Sequence, residues 1–210
     1  MILPPFYPIL DTESLSRRGL DPQAAAAALL DAGAGILQFR HKGPFARAIL
    51  DQAGVIAESC RRSGVLFVIN DRADIALLLG SAVHAGQEDL APADIRRVIG
   101  PARSLGFSTH NEAQFRAALE EPVDYVALGP VFPTGNKINP DAVVGVDELA
   151  RLRPLSRLPL VAIGGITRAN AESVLAAGAD SVAVIADLFP ENATLDSVRE
   201  RAKEWLRVVQ

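Results

Sequence analysis

The sequence predicts a (βα)8 barrel, in which eight parallel strands, each followed by a helix, close into a ring. Short apolar runs alternate with helical stripes from end to end, and no linker or low-complexity stretch interrupts them. The 210 residues are also close to the lower length limit for one such barrel. One domain over 1–210 is therefore predicted. An open doubly wound sheet shares the alternation, but no G-x-G-x-x-G motif follows the first strand.

Eight apolar runs fit strands. In chain order they are Phe6–Asp11, Gly35–Arg40, Leu66–Asn70, Ala82–Ala85, Arg103–Ser108, Tyr125–Leu128, Leu160–Ile163 and Ser181–Ile185. The helices between them have recognisable starts. Asp21 and Pro22 fit the N-cap and first position of the helix after the first strand. Asn111 is expected to cap the fifth helix and Thr167 the seventh.

Composition and charge exclude several function classes. The formal net charge is −4 with acids and bases interspersed, so no basic stripe is available for nucleic acid. There is no signal-peptide pattern and no run of about 18 apolar residues that could span a membrane. We therefore expect a cytoplasmic protein whose partners are small molecules. The single cysteine, Cys60, lies on an apolar helical stripe and is predicted to be buried rather than reactive.

Polar side chains gather at the C-terminal end of the second strand. By strict alternation Leu37 and Phe39 point one way, whereas Gln38, Arg40 and Lys42 point the other. The apolar pair fits the layer that packs against helices, which leaves an amide and two cations at the barrel mouth. That set suits a phosphate or diphosphate. The simpler alternative is a frayed strand end whose charges face water.

Two carboxylates follow the third and fourth strands. Asn70 shares the inward face of the third strand, Asp71 follows it, and Asp89 lies just past the fourth. Each could simply cap a helix or a turn. Because neighbouring barrel strands end at one rim, we expect Asp71 and Asp89 to lie close together beside the cations. Mg²⁺ typically takes one or two carboxylates together with substrate phosphate oxygens and waters, so a magnesium site is expected there.

The three histidines lack the paired spacing of a zinc site, and one cysteine cannot build a thiolate site. His84 is predicted to be structural. His41 has the outward parity of its strand, which favours packing or hydrogen bonding, and His110 lies at the mouth. No convincing Ser/His/Asp or Cys/His set for nucleophilic catalysis is present.

A second anion signal follows the seventh strand. Gly164 and Gly165 would let backbone N–H groups approach a phosphate, and barrels often bind phosphate with the loops after strands seven and eight. Tight turns also favour glycine, so the pair alone is weak evidence. After the eighth strand, Ile185 and Ala186 offer only backbone donors, and Asp187 would have to point away from an anion.

One connection is unusually long. The Gly/Pro-rich stretch 129–145 far exceeds the usual ~2–6 residues, and loops of this kind are often functional. In a barrel the βα loops form the active-site face. Two anion-binding places, one of them with a metal, indicate an enzyme that handles two phosphorylated substrates.

With these residues in place, the chain resembles the thiamine-phosphate synthase family. Six motifs carry the resemblance in unbroken order as far as Leu188, and together they are specific although each alone is modest. They are Gln38-Phe39-Arg40-His41-Lys42, Asn70-Asp71-Arg72, His84-Ala85-Gly86-Gln87 with Asp89, Gly106-Phe107-Ser108-Thr109-His110, Gly129-Pro130-Val131-Phe132-Pro133-Thr134 leading to Lys137, and Ile163-Gly164-Gly165-Ile166.

The resemblance implies a transferase that couples a hydroxymethylpyrimidine diphosphate to a hydroxyethylthiazole phosphate and releases pyrophosphate. It implies Mg²⁺ held by Asp71 and Asp89. The catalytic residues that it implies are Arg40, Lys42, Lys137 and Ser108. The residues implied in substrate binding are Gln38, Phe39, Arg40, His41, Lys42, Asn70, Ser108, Thr134, Gly135, Asn136, Lys137, Gly165, Ile185 and Ala186.

The chain departs from the family's usual pattern. The family usually has Glu where His41 stands and commonly Thr where Asn136 stands. It often has Ser-Ala where this chain has Ala186 and Asp187. Loss of a hydroxyl at Ala186 would weaken binding of the thiazole phosphate while leaving the backbone amides in place.

Three other functions are weighed against the synthase. A related group isomerises the thiazole phosphate but lacks the paired carboxylates. A non-catalytic barrel that only binds phosphate ligands would not need a charged exit site. A sugar-phosphate epimerase or aldolase would need a catalytic lysine within a strand or a metal-binding histidine set.

Overall fold

In a computed structural model, which describes residues 2–134 and 141–210, eight parallel strands form a closed barrel. The strands are β1 (Phe6–Asp11), β2 (Ile36–Arg40), β3 (Leu66–Asn70), β4 (Ala82–Ala85), β5 (Leu105–Thr109), β6 (Tyr125–Leu128), β7 (Leu160–Ile163) and β8 (Ser181–Val184). Each strand pairs with the next, and β8 closes on β1. The predicted fold class is confirmed, and the strand ends agree with the expected runs to within two residues.

Helices connect the strands. They are α1 (Thr12–Ser16), α2 (Pro22–Ala32), α3 (Arg47–Arg62), α4 (Ala73–Leu79), α5 (Pro92–Ile99), α6 (Glu112–Leu119), α7 (Val146–Leu152), α8 (Ala171–Ala176) and α9 (Leu195–Val208). Short 3-10 helices occupy Arg153–Leu155 and Ala186–Leu188. Within the described part of the chain, no helix has both the length and the apolar character that crossing a bilayer requires.

The helix caps agree with the sequence at two of three positions. The side chains of Asp21 and Asn111 each accept a bond from a backbone N–H three residues later, as predicted. The prediction for Thr167 is wrong. Its N–H donates to Oδ1 of Asn170 at 2.7 Å, so these residues close a turn of their own and α8 begins after it.

Apolar side chains form two clusters that follow strand alternation. The outer cluster lies between the strands and the helices and includes Leu37 and Phe39, as expected. Cys60 is fully buried in it, and burial raises the pKa of the thiol to about 12, so the cysteine stays protonated and unreactive. The inner cluster fills the barrel with Leu3, Tyr7, Ile9, Ile36, Val68, Ala82, Tyr125, Ala127, Val161 and Ala183.

Gly106 leaves room for the ring of Tyr125 inside the barrel. It pairs in register with Tyr125 of the next strand, and a Cβ at position 106 would lie 2.0 Å from the ring carbon Cζ of Tyr125. Because β5 carries no side chain there, the Tyr125 ring reaches across the interior until its hydroxyl lies 2.9 Å from the hydroxyl of Tyr7. The absence of one side chain therefore determines where a polar group sits in the core.

Candidate active site

An ion pair lies at the C-terminal ends of β1 and β2. Asp11 and Arg40 are register partners, and their side chains pair with 7% and 17% of their surfaces exposed. Asp11 also caps α1, because its Oδ1 accepts from the N–H of Ser14 at 2.8 Å. Arg40 therefore lies at the mouth as predicted, but Asp11, which is not among the predicted site residues, already balances part of its charge. A bound anion would share the guanidinium with Asp11.

Lys42, Asp71 and Asp89 meet beside that pair. Nζ of Lys42 donates to Oδ2 of Asp71 at 2.5 Å, and the Asp71 carboxyl lies within hydrogen-bonding distance of Asp89. Burial raises the pKa of the Asp89 carboxyl, and the neighbouring Asp71 adds to this effect. The Lys42 ammonium and a backbone N–H that donates to Asp89 act in the opposite direction. The two acids expected to converge do so.

Backbone geometry holds the two acids in place. Asp71 has a φ of +65°, a conformation that no other non-glycine residue adopts in the described part of the chain. Its N–H donates to the carbonyl of His84 at 2.7 Å, which ties it to the next strand. Neither Asn70 nor Asp71 caps α4, because Arg72 occupies the N-cap position without a side-chain bond. The capping alternative is therefore excluded for both. Asp89 does close its own turn, by accepting from the N–H of Gly86 at 2.8 Å.

This acid pair fits a divalent cation. Two carboxyl groups in contact repel each other unless a proton or a cation lies between them. Among residues 2–134 and 141–210 there is no cluster of three or more His, Cys, Asp or Glu side chains that could hold a metal. A metal at Asp71 and Asp89 would therefore draw its remaining ligands from substrate and water, which is the usual coordination of Mg²⁺.

A series of hydrogen bonds crosses the barrel below this rim. Nε2 of Gln38 donates to the Tyr7 hydroxyl at 2.9 Å, and that hydroxyl lies 2.9 Å from the hydroxyl of Tyr125. The Tyr125 hydroxyl is 3.1 Å from Nδ1 of His84, and Nε2 of His84 is 2.8 Å from Oγ of Ser108. We call these five side chains the interior network. Its two end groups, Gln38 and Ser108, are both predicted substrate ligands.

All the ionisable members of the interior network are uncharged at neutral pH. Burial is the main cause of each shift: it raises the pKa of Tyr7 to about 12, raises that of Tyr125 well above its ordinary value, and lowers that of His84 to about 4. Neither tyrosine is among the residues predicted from the sequence, and His84 is predicted there only as a structural residue. Strand alternation, applied to β1, β4 and β6 as it was to β2, would have placed all three inside.

Asn70 supplies an unpaired donor next to the acid pair. Its side chain is 7% exposed, and its Nδ2 finds no acceptor in the described part of the chain. A buried amide without a partner costs about 1–3 kcal/mol, so this N–H₂ group is available to a ligand at the mouth. This geometry agrees with the predicted binding role.

Two side chains that were expected to touch substrate face elsewhere. Phe39 is fully buried in the outer cluster with its ring 6.3 Å from the ring of Phe45, because strand alternation turns it toward the helices. His41 packs edge-on against Phe45, and its Nδ1 lies 2.8 Å from Oγ1 of Thr12. The expectation of a side-chain contact from Phe39 is corrected accordingly, and His41 makes the packing and hydrogen-bonding contacts that its parity favoured.

The glycines after β7 are needed for packing. Gly164 and Gly165 have φ values of +99° and +64°. A Cβ at Gly164 would lie 2.5 Å from Cα of Pro130, and one at Gly165 would lie 2.5 Å from the carbonyl oxygen of Pro133. The loop after β6 therefore passes directly over these glycines, which is a reason for them in addition to the approach of a phosphate. Thr134 ends the described part of that loop, and Gly135, Asn136 and Lys137 lie outside the described residues.

The carboxylate after β8 points away from the rim. Ile185 follows β8 as the N-cap of the 3-10 helix Ala186–Leu188. Oδ2 of Asp187 accepts from Nε1 of Trp205 at 2.9 Å and from Nε of Arg168 at 3.0 Å, so it faces α9. The Asp187 carboxylate is thereby held by Trp205 and Arg168, as an anion site at the neighbouring backbone requires.

His110 lies at the mouth, as expected. Its Nδ1 is 2.6 Å from the carbonyl oxygen of Gly129, and 3.5 Å from Oδ2 of Asp141. Because a carbonyl only accepts, the short bond places a proton on Nδ1. The histidine therefore joins the end of β5 to both sides of the loop after β6.

The fold and the rim define the class of protein, a (βα)8-barrel enzyme whose mouth combines paired acids, cations and a buried polar network. A family model described as thiamine monophosphate synthase matches residues 6–188. The chain therefore belongs to the thiamine monophosphate synthase family, and the resemblance found in the sequence is confirmed.

Individual relatives agree with this assignment. The chain is 46% identical to a thiamine-phosphate synthase of Koribacter versatilis, with 99% of this chain and 96% of the relative covered. It is 41% identical to one of Laribacter hongkongensis, with 85% and 84% covered. Among solved structures, a thiamine phosphate pyrophosphorylase from Pyrococcus furiosus superposes with a TM-score of 0.85 at 28% identity, over 97% of this chain and 94% of that one.

Proposed function

We propose that this chain couples 4-amino-2-methyl-5-(diphosphooxymethyl)pyrimidine to 4-methyl-5-(2-phosphooxyethyl)thiazole, with thiamine phosphate and pyrophosphate as products. The observation that carries the proposal is the meeting of Lys42, Asp71 and Asp89 at one rim. A diphosphate leaving group is stabilised by cations and a metal ion at one place, and this rim combines Lys42 with two carboxylates that could hold the metal. The named activity of relatives that align with almost the whole chain supports the same reaction.

The bond changes balance without any protein base. The C–O bond to the diphosphate breaks with its electron pair on oxygen, which leaves a carbocation stabilised by the aminopyrimidine. The thiazole nitrogen then forms the new C–N bond with its lone pair. Arg40 and Lys42 stabilise the negative charge that develops on the leaving group, an effect worth several kcal/mol, and Lys137 is the predicted third cation. The lack of a convincing nucleophile–base set in the sequence agrees with this route.

Asp71 and Asp89 are the residues that would hold Mg²⁺. Bound there, the ion would neutralise charge on the diphosphate as it departs. The raised pKa of Asp89 means that a proton competes with a cation for the pair. We therefore expect metal affinity to fall as the pH is lowered.

The substrates are assigned to different parts of the mouth. Gln38, Asn70 and Ser108 would bind the pyrimidine, because they present polar atoms at the inner end of the rim. The thiazole phosphate would meet Thr134 and the backbone at Gly165, Ile185 and Ala186. A cytoplasmic location and small-molecule partners complete the proposal.

The experiment is a direct assay. Purified protein supplied with both substrates and Mg²⁺ should make thiamine phosphate, detected by mass spectrometry, and a chelator should abolish the product. Readdition of Mg²⁺ should restore it, which separates metal loss from damage to the protein. An isomerised thiazole without coupling would favour the related isomerase. Retained binding without turnover would favour a ligand-binding barrel.

A further inference from the structure

Three members of the interior network have no part in the proposed reaction. Tyr7, Tyr125 and His84 are buried inside the barrel, and they connect Gln38 on one side of the mouth with Ser108 on the other. Four hydrogen bonds of 2.8 to 3.1 Å link the five side chains. A continuous series of this kind determines which atom of each end group is left to face a ligand.

Counting donors gives the direction of the first two bonds. The amide nitrogen Nε2 of Gln38 can donate a hydrogen bond but cannot accept one, so the Tyr7 oxygen accepts from it. Tyr7 then has one hydrogen to donate, and within the described residues the Tyr125 hydroxyl is the acceptor that lies in reach. The opposite arrangement would leave a fully buried O–H without a partner, at a cost of about 1–3 kcal/mol.

The same count decides the tautomer of the histidine. Because the Tyr125 oxygen accepts from Tyr7, its own hydrogen goes to Nδ1 of His84. A neutral imidazole has one N–H, so the proton is on Nε2. Nε2–H then donates to Oγ of Ser108, and the Ser108 hydroxyl keeps its hydrogen for another partner.

We propose that Tyr7, Tyr125 and His84 are positioning residues. They leave the Gln38 carbonyl oxygen as the acceptor, and the Ser108 hydroxyl as the donor, that face a ligand at the barrel mouth. For its ligand this inference rests on the proposed function. An aminopyrimidine carries an amino group that donates and ring nitrogens that accept, so it matches this pair of end groups. The three residues act only through Gln38 and Ser108.

The direction of the bonds is tested without any substrate. In ¹⁵N NMR of the wild-type protein, His84 should show an unprotonated Nδ1 and a protonated Nε2. The chain has three histidines, and His84→Gln identifies the signals by their loss. Tyr125→Phe removes the donor to Nδ1 and should give a mixture of tautomers. Tyr7→Phe leaves that donor in place and should keep the proton on Nε2.

Kinetics test the positioning. Tyr7→Phe should raise KM for the pyrimidine diphosphate about tenfold with little change in kcat, because Gln38 loses the acceptor that orients it. Tyr125→Phe should raise KM and also lower kcat, because it releases His84 and hence Ser108. Ser181→Ala is the matched control, since it removes a buried hydroxyl bond of 2.8 Å to the carbonyl of Pro4 at the opposite end of the barrel. It should leave both kinetic constants unchanged.

Two results would overturn the proposal. A proton on Nδ1 of His84 would mean that the Gln38 amide is turned over and every bond runs the other way. Kinetic constants that are unchanged in both tyrosine variants would show that the network is structural only. If the wild-type protein made no thiamine phosphate while His84 carried its proton on Nε2, the proposed function would fail and the direction of the network would stand.

Discussion

The two halves of the barrel rim present different groups, side chains in one half and backbone in the other. After β2, β3 and β4, the rim consists of side chains: Asp71 accepts a hydrogen bond from Lys42 and lies next to Asp89, above the interior network. After β7 and β8 it consists of backbone, with Gly165 closely covered by the loop after β6 and the Asp187 carboxylate turned into α9.

This difference predicts which half of the rim a bound ligand would complete. The side-chain half keeps two unsatisfied features, an unpaired Nδ2 on Asn70 and a carboxyl pair with a raised pKa at Asp89. The backbone half satisfies its charges internally, because Arg168 pairs with Asp187 and with Glu204. Charge substitutions should therefore act on chemistry in the first half, whereas shape substitutions should act on stability and fit in the second.

The largest effect is expected at Asp71. Asp71→Asn removes the charge but keeps a side chain that tolerates a φ of +65°. We expect kcat to fall by two to three orders of magnitude, about 3–4 kcal/mol, while the free energy of unfolding changes by less than about 1 kcal/mol. Steady-state kinetics and urea unfolding measure the two quantities.

Asp74→Asn is the control for that substitution. Asp74 is an exposed carboxylate on the first turn of α4 that pairs with Arg72, so its loss removes one nearby charge without touching the acid pair. An equal loss of turnover in the two variants would show that net charge at the rim matters, and not the acid pair.

Next in size is a shape change in the backbone half. Gly165→Ala combines a φ of +64° with a Cβ only 2.5 Å from the Pro133 carbonyl, so we expect a loss of about 2–3 kcal/mol in stability. Gly80→Ala has a φ of +66° with nothing within 4 Å, and should lose only about 1 kcal/mol. Gly165→Ala should also raise KM for the thiazole phosphate more than for the pyrimidine. Equal unfolding energies in the two variants would rule out the close contact.

A pH effect of about 2 kcal/mol is expected from the interior network. Burial lowers the pKa of His84 from 6.5 to about 4. Between pH 6.5 and 4, His84 therefore binds a proton in the unfolded chain but stays neutral in the folded protein. The contribution of His84 to stability is therefore complete above pH 6.5 and is lost as the pH falls toward 4. Urea unfolding at pH 7.5 and 5 should show a loss of ~2 kcal/mol in the free energy of unfolding, and His84→Gln should lack that part of the pH dependence. The same slope in both proteins would contradict a buried neutral His84.

The smallest effect is expected at Asp89. Because the folded state raises the pKa of this carboxyl, the metal-free protein loses stability as the pH rises through that raised pKa. Asp89→Asn removes this loss and keeps an acceptor for the Gly86 N–H, so we expect it to stabilise the metal-free protein at neutral pH by less than about 1 kcal/mol. Thermal unfolding without and with Mg²⁺ tests this: added Mg²⁺ should stabilise the wild type and not the variant. A destabilised metal-free variant would count against repulsion within the acid pair.

Strand alternation was enough to place Gln38 and Arg40 at the mouth, and the rule that neighbouring strands end at one rim was enough to bring Asp71 and Asp89 together. The short helix Thr12–Ser16 was not predicted, because five residues carry too little periodicity to detect. Alternation along β1 places Asp11 on the inward face, but parity alone does not predict its pairing with Arg40. A pairing of this kind appears only when register is known.

The sequence by itself determined the barrel, the order of its strands and the parity that separates inward from outward side chains, because these follow from short-range periodicity. Only the tertiary structure decided which partners the inward groups meet: Arg40 with Asp11, Tyr7 with Tyr125, and the glycines after β7 with the loop after β6. The physical reason is range. Alternation repeats every two residues along one strand, whereas a hydrogen bond or a clash depends on distances of a few ångströms between strands that lie far apart in the chain.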